Sequence, residues 1–128
     1  MRKIEWKSSY EIGHKLIDTQ HQALVELINK LLMEEKGSSK SSDLLVDLMK
    51  YAQEHFAQEQ QVMKELHFLE LELHKTQHLG YILKGMEFAN KSIRNHSELH
   101  TETLTYLKEW LLNHILLEDK KIATYLKK

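Results

Sequence analysis

Two pairs of side chains have the spacing of a metal site, His55 with Glu59 in HFAQE and His74 with His78 in HKTQH. Residues four apart lie on one face of an α-helix, about 6 Å apart along its axis, so each pair directs two side chains the same way. Imidazole nitrogens and carboxylate oxygens are metal ligands, and the chemistry indicated is metal coordination. Because the chain contains nine histidines, one such pair is weak evidence by itself. The rest of the sequence must support it.

The composition narrows both the ligand chemistry and the class of protein. The chain has no cysteine, which excludes disulfides, thiolate zinc sites, iron–sulfur clusters and cysteine nucleophiles. Its 18 Lys and Arg residues balance 19 Asp and Glu, so the basic surface of a nucleic-acid-binding protein is not expected. The start MRKIEWKSSY has no apolar signal segment, and no apolar run reaches the ~18 residues of a membrane span. We expect a cytoplasmic protein with no nucleic-acid or membrane partner.

Residues 1–128 are predicted to form a single all-α domain. The chain has no Pro and four Gly, and it is rich in Leu, Glu, Lys and Gln, which favours helix. We predict an N-terminal arm, four main helices and a short C-terminal helix. The predicted boundaries are an arm over 1–17, a first helix capped by Asp18, a turn at Gly37–Ser42 with Ser41 or Ser42 as the next cap, a third helix from about Glu70, a polar loop at Asn90–Ser97 with Ser97 as a cap, and a terminal helix over 120–128.

Polar residues interrupt the apolar seams of these helices. In the second helix the positions three and four apart are apolar except for His55 and Glu59, and in the third they are apolar except for His74 and His78. Burying an ionisable group without a partner costs several kcal/mol, roughly, and a bound metal ion would offset that cost for both members of a pair.

Four helices joined by short connections pack most simply as an up-down-up-down bundle. In such a bundle His21 from the first helix and His114 from the fourth join the two pairs, and Asp119 follows in HILLED. One metal ion rarely accepts five imidazoles and two carboxylates, whereas two ions with bridging carboxylates would use them all. Asp119 fits less well, because five residues turn a regular helix by about 140°. It can join only if the helix loosens or ends after His114.

In this set of residues the sequence resembles the hemerythrin family, specifically its single-domain bacterial members. The resemblance covers essentially the whole chain and rests on the aromatic arm with Trp6 and Tyr10, IDTQH ending in His21, HFAQE followed by Met63, HKTQH, and WLLNHILLED. It implies a centre of two non-heme iron ions, Fe2+ or Fe3+, with carboxylate bridges and an oxo or hydroxo bridge.

The resemblance also implies a role for each ligand. His74, His78 and His114 would complete one iron, His21 and His55 would bind the other, and Glu59 and Asp119 would bridge them. Dioxygen would bind reversibly at the iron with fewer protein ligands, where the iron pair would reduce it to the hydroperoxide level. Gln60 departs from the family pattern, in which a second acidic residue is frequent after Glu59. We expect that change to affect the helix surface rather than the site.

The ligand types favour oxygen carriage. Five neutral imidazoles against two carboxylates keep an iron pair from becoming too electron-rich, whereas carboxylate-rich sites favour oxidation chemistry. Reversible binding also needs a dry pocket. Leu24, Ile28, Phe56 and Leu111 lie within one turn of ligands and could line it, while Trp110 and Tyr106 are interpreted as packing residues.

We therefore predict a protein that binds dioxygen for carriage, storage or scavenging and is not an enzyme. Two alternatives stay open: a module that senses oxygen or redox state through its arm and a separate partner, and a di-iron oxidase, peroxidase or iron store, for which more carboxylates are expected. We interpret the other histidines, His14, His67, His96 and His100, as solvated. A monomer is predicted because no long exposed apolar stripe is evident.

Overall fold

The computed structural model describes residues 3–34, 39–94 and 100–126, and the side chains of these residues except at 39–42, 91–94 and 100–101. Its helices are α1 (Lys15–Met33), α2 (Ser39–Glu65), α3 (Leu71–Arg94), α4 (His100–Asn113) and α5 (Lys120–Leu126), with a π-helical segment (His114–Asp119) between α4 and α5. Each of the first three helices packs on the next, and α4 also packs on α1. The prediction of a four-helix bundle with an N-terminal arm and a short C-terminal helix is confirmed.

The buried side chains fall into three layers along the bundle. A smaller apolar cluster consists of Ile12, Ile17, Met63, Phe68 and Ile122, and a larger one includes Leu24, Leu48, Tyr81 and Leu107. On α1 the order along the chain is smaller cluster, His21, larger cluster, and this order reverses at each following helix. Such a reversal is what an up-down-up-down bundle requires. The histidines and carboxylates therefore lie between two apolar layers.

Backbone groups of the N-terminal arm form hydrogen bonds with side chains of α1. The Ile4 N–H donates to Asn29 Oδ1 at 2.7 Å, and Asn29 Nδ2 donates to the Ile4 carbonyl at 2.9 Å. Farther along, the Asp18 carboxylate accepts from the backbone N–H groups of Ile12 at 2.8 Å and Gly13 at 3.1 Å. Gly13 has a φ of 97°, a conformation that favours glycine.

The first helix begins earlier than the sequence predicted. It starts at Lys15 and is capped by His14, whose Nδ1 accepts from the Ile17 N–H at 3.4 Å. The prediction of Asp18 as the N-cap was therefore wrong. Its carboxylate is engaged by the arm instead, because the turn at Gly13 brings two free N–H groups to it.

Two other predicted boundaries were wrong. Helix α2 begins at Ser39, so Ser41 and Ser42 lie inside it and are not caps. Helix α3 runs to Arg94, so Asn90–Arg94 is helical rather than a loop. That segment is polar but contains neither Gly nor Pro, and nothing in it ends a helix. The predicted cap Ser97 lies outside the described residues, as does Gly37.

The outer face of α3 carries an exposed apolar stripe, which was not predicted from the sequence. Leu79, Leu83 and Met86 are each more than half exposed and follow one another at steps of four and three. The reason given for a monomer, the lack of such a stripe, was therefore wrong. Among the described residues no helix is long and apolar enough to cross a membrane.

Candidate metal centre

One buried polar cluster lies at the middle of the bundle. It contains all seven side chains predicted as metal ligands, and none of them is more than 5% exposed. Helix α1 contributes one, α2 and α3 contribute two each, and the π-helical segment contributes two. They are His21, His55, Glu59, His74, His78, His114 and Asp119.

The cluster divides into two groups of potential ligands. His74, His78 and His114 form a three-histidine group, and His21 and His55 form a two-histidine group. Both groups include Glu59 and Asp119, and within each group the ligand atoms lie within 4.8 Å of one another. The two groups therefore share both carboxylates and no imidazole.

Glu59 divides its two oxygens between the groups. Its Oε1 lies 3.1 Å from His74 Nε2 and 3.0 Å from His78 Nε2, in the three-histidine group. Its Oε2 lies 3.2 Å from His21 Nε2 and 3.1 Å from His55 Nε2, in the two-histidine group. A carboxylate in this orientation can bridge two metal ions.

Asp119 has the same divided arrangement. Its Oδ1 lies 2.8 Å from His74 Nε2 and 3.1 Å from His114 Nε2, and its Oδ2 lies 3.0 Å from His21 Nε2. The chain places it there through the π-helical segment, because i→i+5 hydrogen bonding widens the turn and brings residues five apart onto one face. The sequence required a loosened helix between His114 and Asp119, and the structure has one.

The buried carboxylates stay ionised because imidazoles surround them. Burial alone would raise the pKa of Glu59, but hydrogen bonds with four histidines outweigh it and hold the pKa well below its ordinary value. Burial and the Glu59 charge would raise the pKa of Asp119, and contacts with His114 and His21 lower it instead. The centre thus contains two buried negative charges, which attract protons to the neighbouring imidazoles and would attract metal cations.

The imidazoles respond to those charges unequally. Burial would lower the pKa of His21, but Asp119 and Glu59 outweigh it and raise that pKa to about 10. The same two carboxylates raise the pKa of His74 to about 9 against the effect of burial. His78 contacts only Glu59 of the two, so burial dominates and lowers its pKa to about 4.

The contacts among the imidazoles fit a metal ion better than a hydrogen-bond network. His114 Nε2 lies 3.0 Å from His74 Nε2 and 3.1 Å from His78 Nε2. A single Nε2 hydrogen can serve only one of these contacts, whereas a cation between the rings would accept a lone pair from all three. A donor set of imidazoles and carboxylates suits iron, manganese or zinc.

Two glutamines contact the outer edges of the imidazoles. Gln20 Oε1 lies 2.8 Å from His55 Nδ1, and Gln60 Oε1 lies 3.0 Å from His78 Nδ1. The prediction that Gln60 affects only the helix surface was therefore wrong, because its side chain reaches across to α3. Gln20 was not identified from the sequence, although it lies between Ile17 and Leu24 on the buried stripe of α1.

The side chains predicted to line a dry pocket are all buried. Leu24, Ile28, Phe56 and Leu111 are at most 4% exposed. Phe56 also stacks on His78 with ring centroids 3.8 Å apart. As predicted, Trp110 and Tyr106 pack within the bundle.

Of the remaining histidines, His14 and His67 lie apart from the cluster. His14 is half-buried and caps α1, which differs from the solvated role predicted for it. His67 is exposed with a φ of 57° in the turn before α3. His96 lies outside the described residues, and His100 begins α4 with a side chain that is not described.

Comparison with known proteins adds an independent line of evidence. Residues 13–126 match the family model of the hemerythrin HHE cation binding domain. The chain is 32% identical to a bacteriohemerythrin from Clostridium acetobutylicum over 91% of this chain and 95% of that one. It is 29% identical to a myohemerythrin from Theromyzon tessulatum over 91% and 88% of the two chains. A crystal structure of wild-type hemerythrin has the same fold, with a TM-score of 0.86 at 22% identity over 99% of this chain and 100% of that chain.

Proposed function

The chain belongs to the hemerythrin family, and on that premise we propose that it binds dioxygen reversibly at two non-heme iron ions held in the buried cluster. His74, His78 and His114 would hold one ion, and His21 and His55 the other. Glu59 and Asp119 would bridge the two. The observation that carries this assignment is the division of each carboxylate's oxygens between the two groups. When bound, the iron pair would supply a reversible two-electron reduction of dioxygen, in which the electrons return to the iron pair on release.

The protein's own contribution is to leave one position short of ligands and to keep water out. The two-histidine group offers one imidazole fewer than the other group, so an ion held there would have room for a small molecule. The apolar layers on both sides exclude bulk water, which would promote loss of bound oxygen and oxidation of the iron. Leu24, Ile28 and Leu111, all buried, supply aliphatic surface suited to an apolar gas.

We propose oxygen carriage, storage or scavenging rather than an enzymatic oxidation. The support is the donor set, because five imidazoles and two carboxylates meet in the cluster. Neutral imidazoles leave the iron pair less electron-rich than a carboxylate-rich site would. Residues 1–128 are proposed to act as one domain, and the cytoplasmic location and the absence of a nucleic-acid partner stay predictions. The monomeric state also stays a prediction, although the exposed apolar stripe on α3 removes the reason for it.

Anaerobic loading with ferrous iron tests the proposal. We expect two iron ions per chain, a visible absorption band when oxygen is admitted, and loss of that band when oxygen is removed under argon. Repeated cycles should return the same spectrum. Irreversible bleaching in the first cycle, or steady consumption of a reductant in air, would favour the oxidase or peroxidase alternative. A chain that takes up no iron would contradict the proposal altogether.

A further inference from the structure

The two glutamine contacts have the same geometry, with a glutamine Oε1 beside a histidine Nδ1. Gln20 on α1 faces Nδ1 of His55, and Gln60 on α2 faces Nδ1 of His78, while the Nε2 atoms of both histidines point at Glu59. One contact belongs to each ligand group. In both cases the atom that faces the ring is an amide oxygen, which carries no formal charge.

These contacts fix the tautomer of the two imidazoles. An amide oxygen only accepts, so each Nδ1 must carry the hydrogen and donate it, and each Nε2 is left with a lone pair directed inward. The orientation of the Gln20 amide is set from its other side, because Gln20 Nε2 donates to Gln58 Oε1. His55 is therefore prepared as a ligand by a chain of two glutamines.

His21 provides an internal contrast. Its Nδ1 is buried and has no hydrogen-bond partner among the described residues. The two histidines of one group thus differ, one held by a glutamine from outside and the other without such support. The glutamine contacts are therefore not a uniform consequence of packing histidines in this bundle.

We propose that Gln20 and Gln60 are positioning residues that set the electron-donating strength of His55 and His78 towards the iron pair, an inference that rests on the proposed function. Groups that accept from the outer N–H of a metal-bound imidazole raise its basicity, and a carboxylate does so more than a neutral amide. A neutral acceptor holds the ring in the right tautomer while leaving it a weaker donor. The iron pair then stays easier to reduce, which a reversible oxygen carrier needs.

The first experiment uses zinc, which gives a diamagnetic protein and needs no oxygen chemistry. In the zinc-loaded wild-type chain, nuclear magnetic resonance should show hydrogen-bonded Nδ1–H signals of His55 and His78 that are protected from exchange. Gln20→Leu should move or lose the His55 signal, and Gln60→Leu the His78 signal, each with a loss of roughly 10–100-fold in zinc affinity. Exposed Gln22 on α1 and Gln61 on α2 offer matched controls, and Gln22→Leu and Gln61→Leu should change neither signal.

The second experiment measures the midpoint potential of the iron-loaded protein. Gln20→Glu and Gln60→Glu should lower the potential and speed irreversible oxidation, whereas the two Leu variants should raise it. Opposite signs are not expected from a merely structural role. Gln22→Glu and Gln61→Glu add the same charge at exposed positions and should leave the potential close to that of the wild type. The shift should be larger at Gln20, which is 8% exposed, than at half-buried Gln60, because burial weakens screening.

The outcomes separate this inference from the proposed function. Failure of the wild-type chain to bind zinc or iron would overturn both. The inference alone would be overturned if Gln20→Glu and Gln60→Glu bind the full amount of metal but have the same midpoint potentials as Gln22→Glu and Gln61→Glu. If a Leu variant does not fold, the Glu variants, which keep the acceptor and the side-chain length, still decide the sign of the effect.

Discussion

The three-histidine group and the two-histidine group share both carboxylates but have different surroundings. Among the described residues, stacked aromatic rings cover only the three-histidine group. Phe56 lies on His78 with ring centroids 3.8 Å apart, and Trp110 lies on His114 at 4.4 Å. In the two-histidine group His21 is flanked along α1 by Ile17 and Leu24, both fully buried aliphatic residues.

The difference supports the proposal that the two shared carboxylates bridge two unequal metal positions. Flat rings in contact with imidazoles fix the ring planes and fill the space behind them, so the three-histidine group is closely packed by aromatic side chains. The two-histidine group has one nitrogen donor fewer, and its His21 lies beside an aliphatic wall formed by Ile17 and Leu24. A small apolar molecule is therefore expected at the second group rather than the first.

The largest expected effect comes from removing what the two groups share. Glu59→Ala should reduce the iron content from two ions per chain to none, because its oxygens contact imidazoles of both groups. Iron analysis after anaerobic loading and desalting measures this. Glu54→Ala removes an exposed carboxylate from the same helix and should keep both ions. Two ions retained in the Glu59 variant would contradict a bridging role.

Removing one imidazole from each group should distinguish the groups. His55→Ala leaves the two-histidine group with a single imidazole, and we expect the iron content to fall to about one ion per chain. His74→Ala leaves two imidazoles in the three-histidine group. We expect that this variant still binds two ions per chain, with reduced affinity for the ion in the three-histidine group. Titration with ferrous iron compares the two variants.

His100 supplies the control for these variants. It precedes His114 by 14 residues, about 21 Å along a helix, which is too far for the same centre. His100→Ala should therefore bind both ions with unchanged affinity. A large loss of iron in that variant would show that the centre has been misplaced.

Equal losses of iron in the His55 and His74 variants would show that the two groups bind metal equally well.

Much of the fold could be predicted from periodicity alone. The apolar seams gave the number of helices, and the polar residues within those seams gave the members of the buried cluster. Helix ends were predicted less well, because they depend on side chains that find partners outside the helix. Asp18 is an example, since its carboxylate reads as a cap in sequence but is held by the arm.

The sequence identified the members of the buried cluster but not the residues that contact them from outside. The π-helical segment was required by the five-residue spacing of His114 and Asp119, so the sequence pointed to it. Gln20 and Gln60 act across helix interfaces, 35 and 18 residues away from the histidines they contact. Such contacts depend on how helices pack against each other, which periodicity within one helix does not determine.

The aromatic cover of the three-histidine group should be worth several kcal/mol. Phe56→Ala is expected to lower the free energy of unfolding by about 3–5 kcal/mol, because it leaves a cavity against His78, Tyr81 and Trp110. Denaturant unfolding of the metal-free protein measures this. Leu79→Ala, at an exposed position of α3, should change stability by no more than about 0.5 kcal/mol.

Leu24→Ala extends that test to the two-histidine group. It should cost about 2–5 kcal/mol and, in the iron-loaded protein, speed irreversible oxidation by admitting water. Phe56→Ala is expected to weaken iron binding by the three-histidine group instead. The same oxidation rate in both variants would indicate that the aliphatic wall has no special role.

The smallest expected effect is the release of protons when metal binds, and we expect one proton from each of the two groups. In the metal-free protein the pKa of His21 is raised to about 10 and that of His74 to about 9, so one histidine of each group is protonated at pH 7. Metal binding requires neutral imidazoles, and uptake should release about two protons per chain from these residues. Calorimetry in buffers of different ionisation enthalpy measures the number. The apparent metal affinity should rise with pH by about tenfold per pH unit for each proton released.

The stability of the metal-free protein should move in the opposite direction over the same range. The raised pKa values of His21 and His74 contribute stability that is fully present below their ordinary value of 6.5 and is lost as the pH rises through about 9 and 10. High pH therefore weakens the empty bundle while favouring the metal-loaded one. Metal uptake without proton release at pH 7 would mean that the carboxylates do not hold these two imidazoles in the charged form.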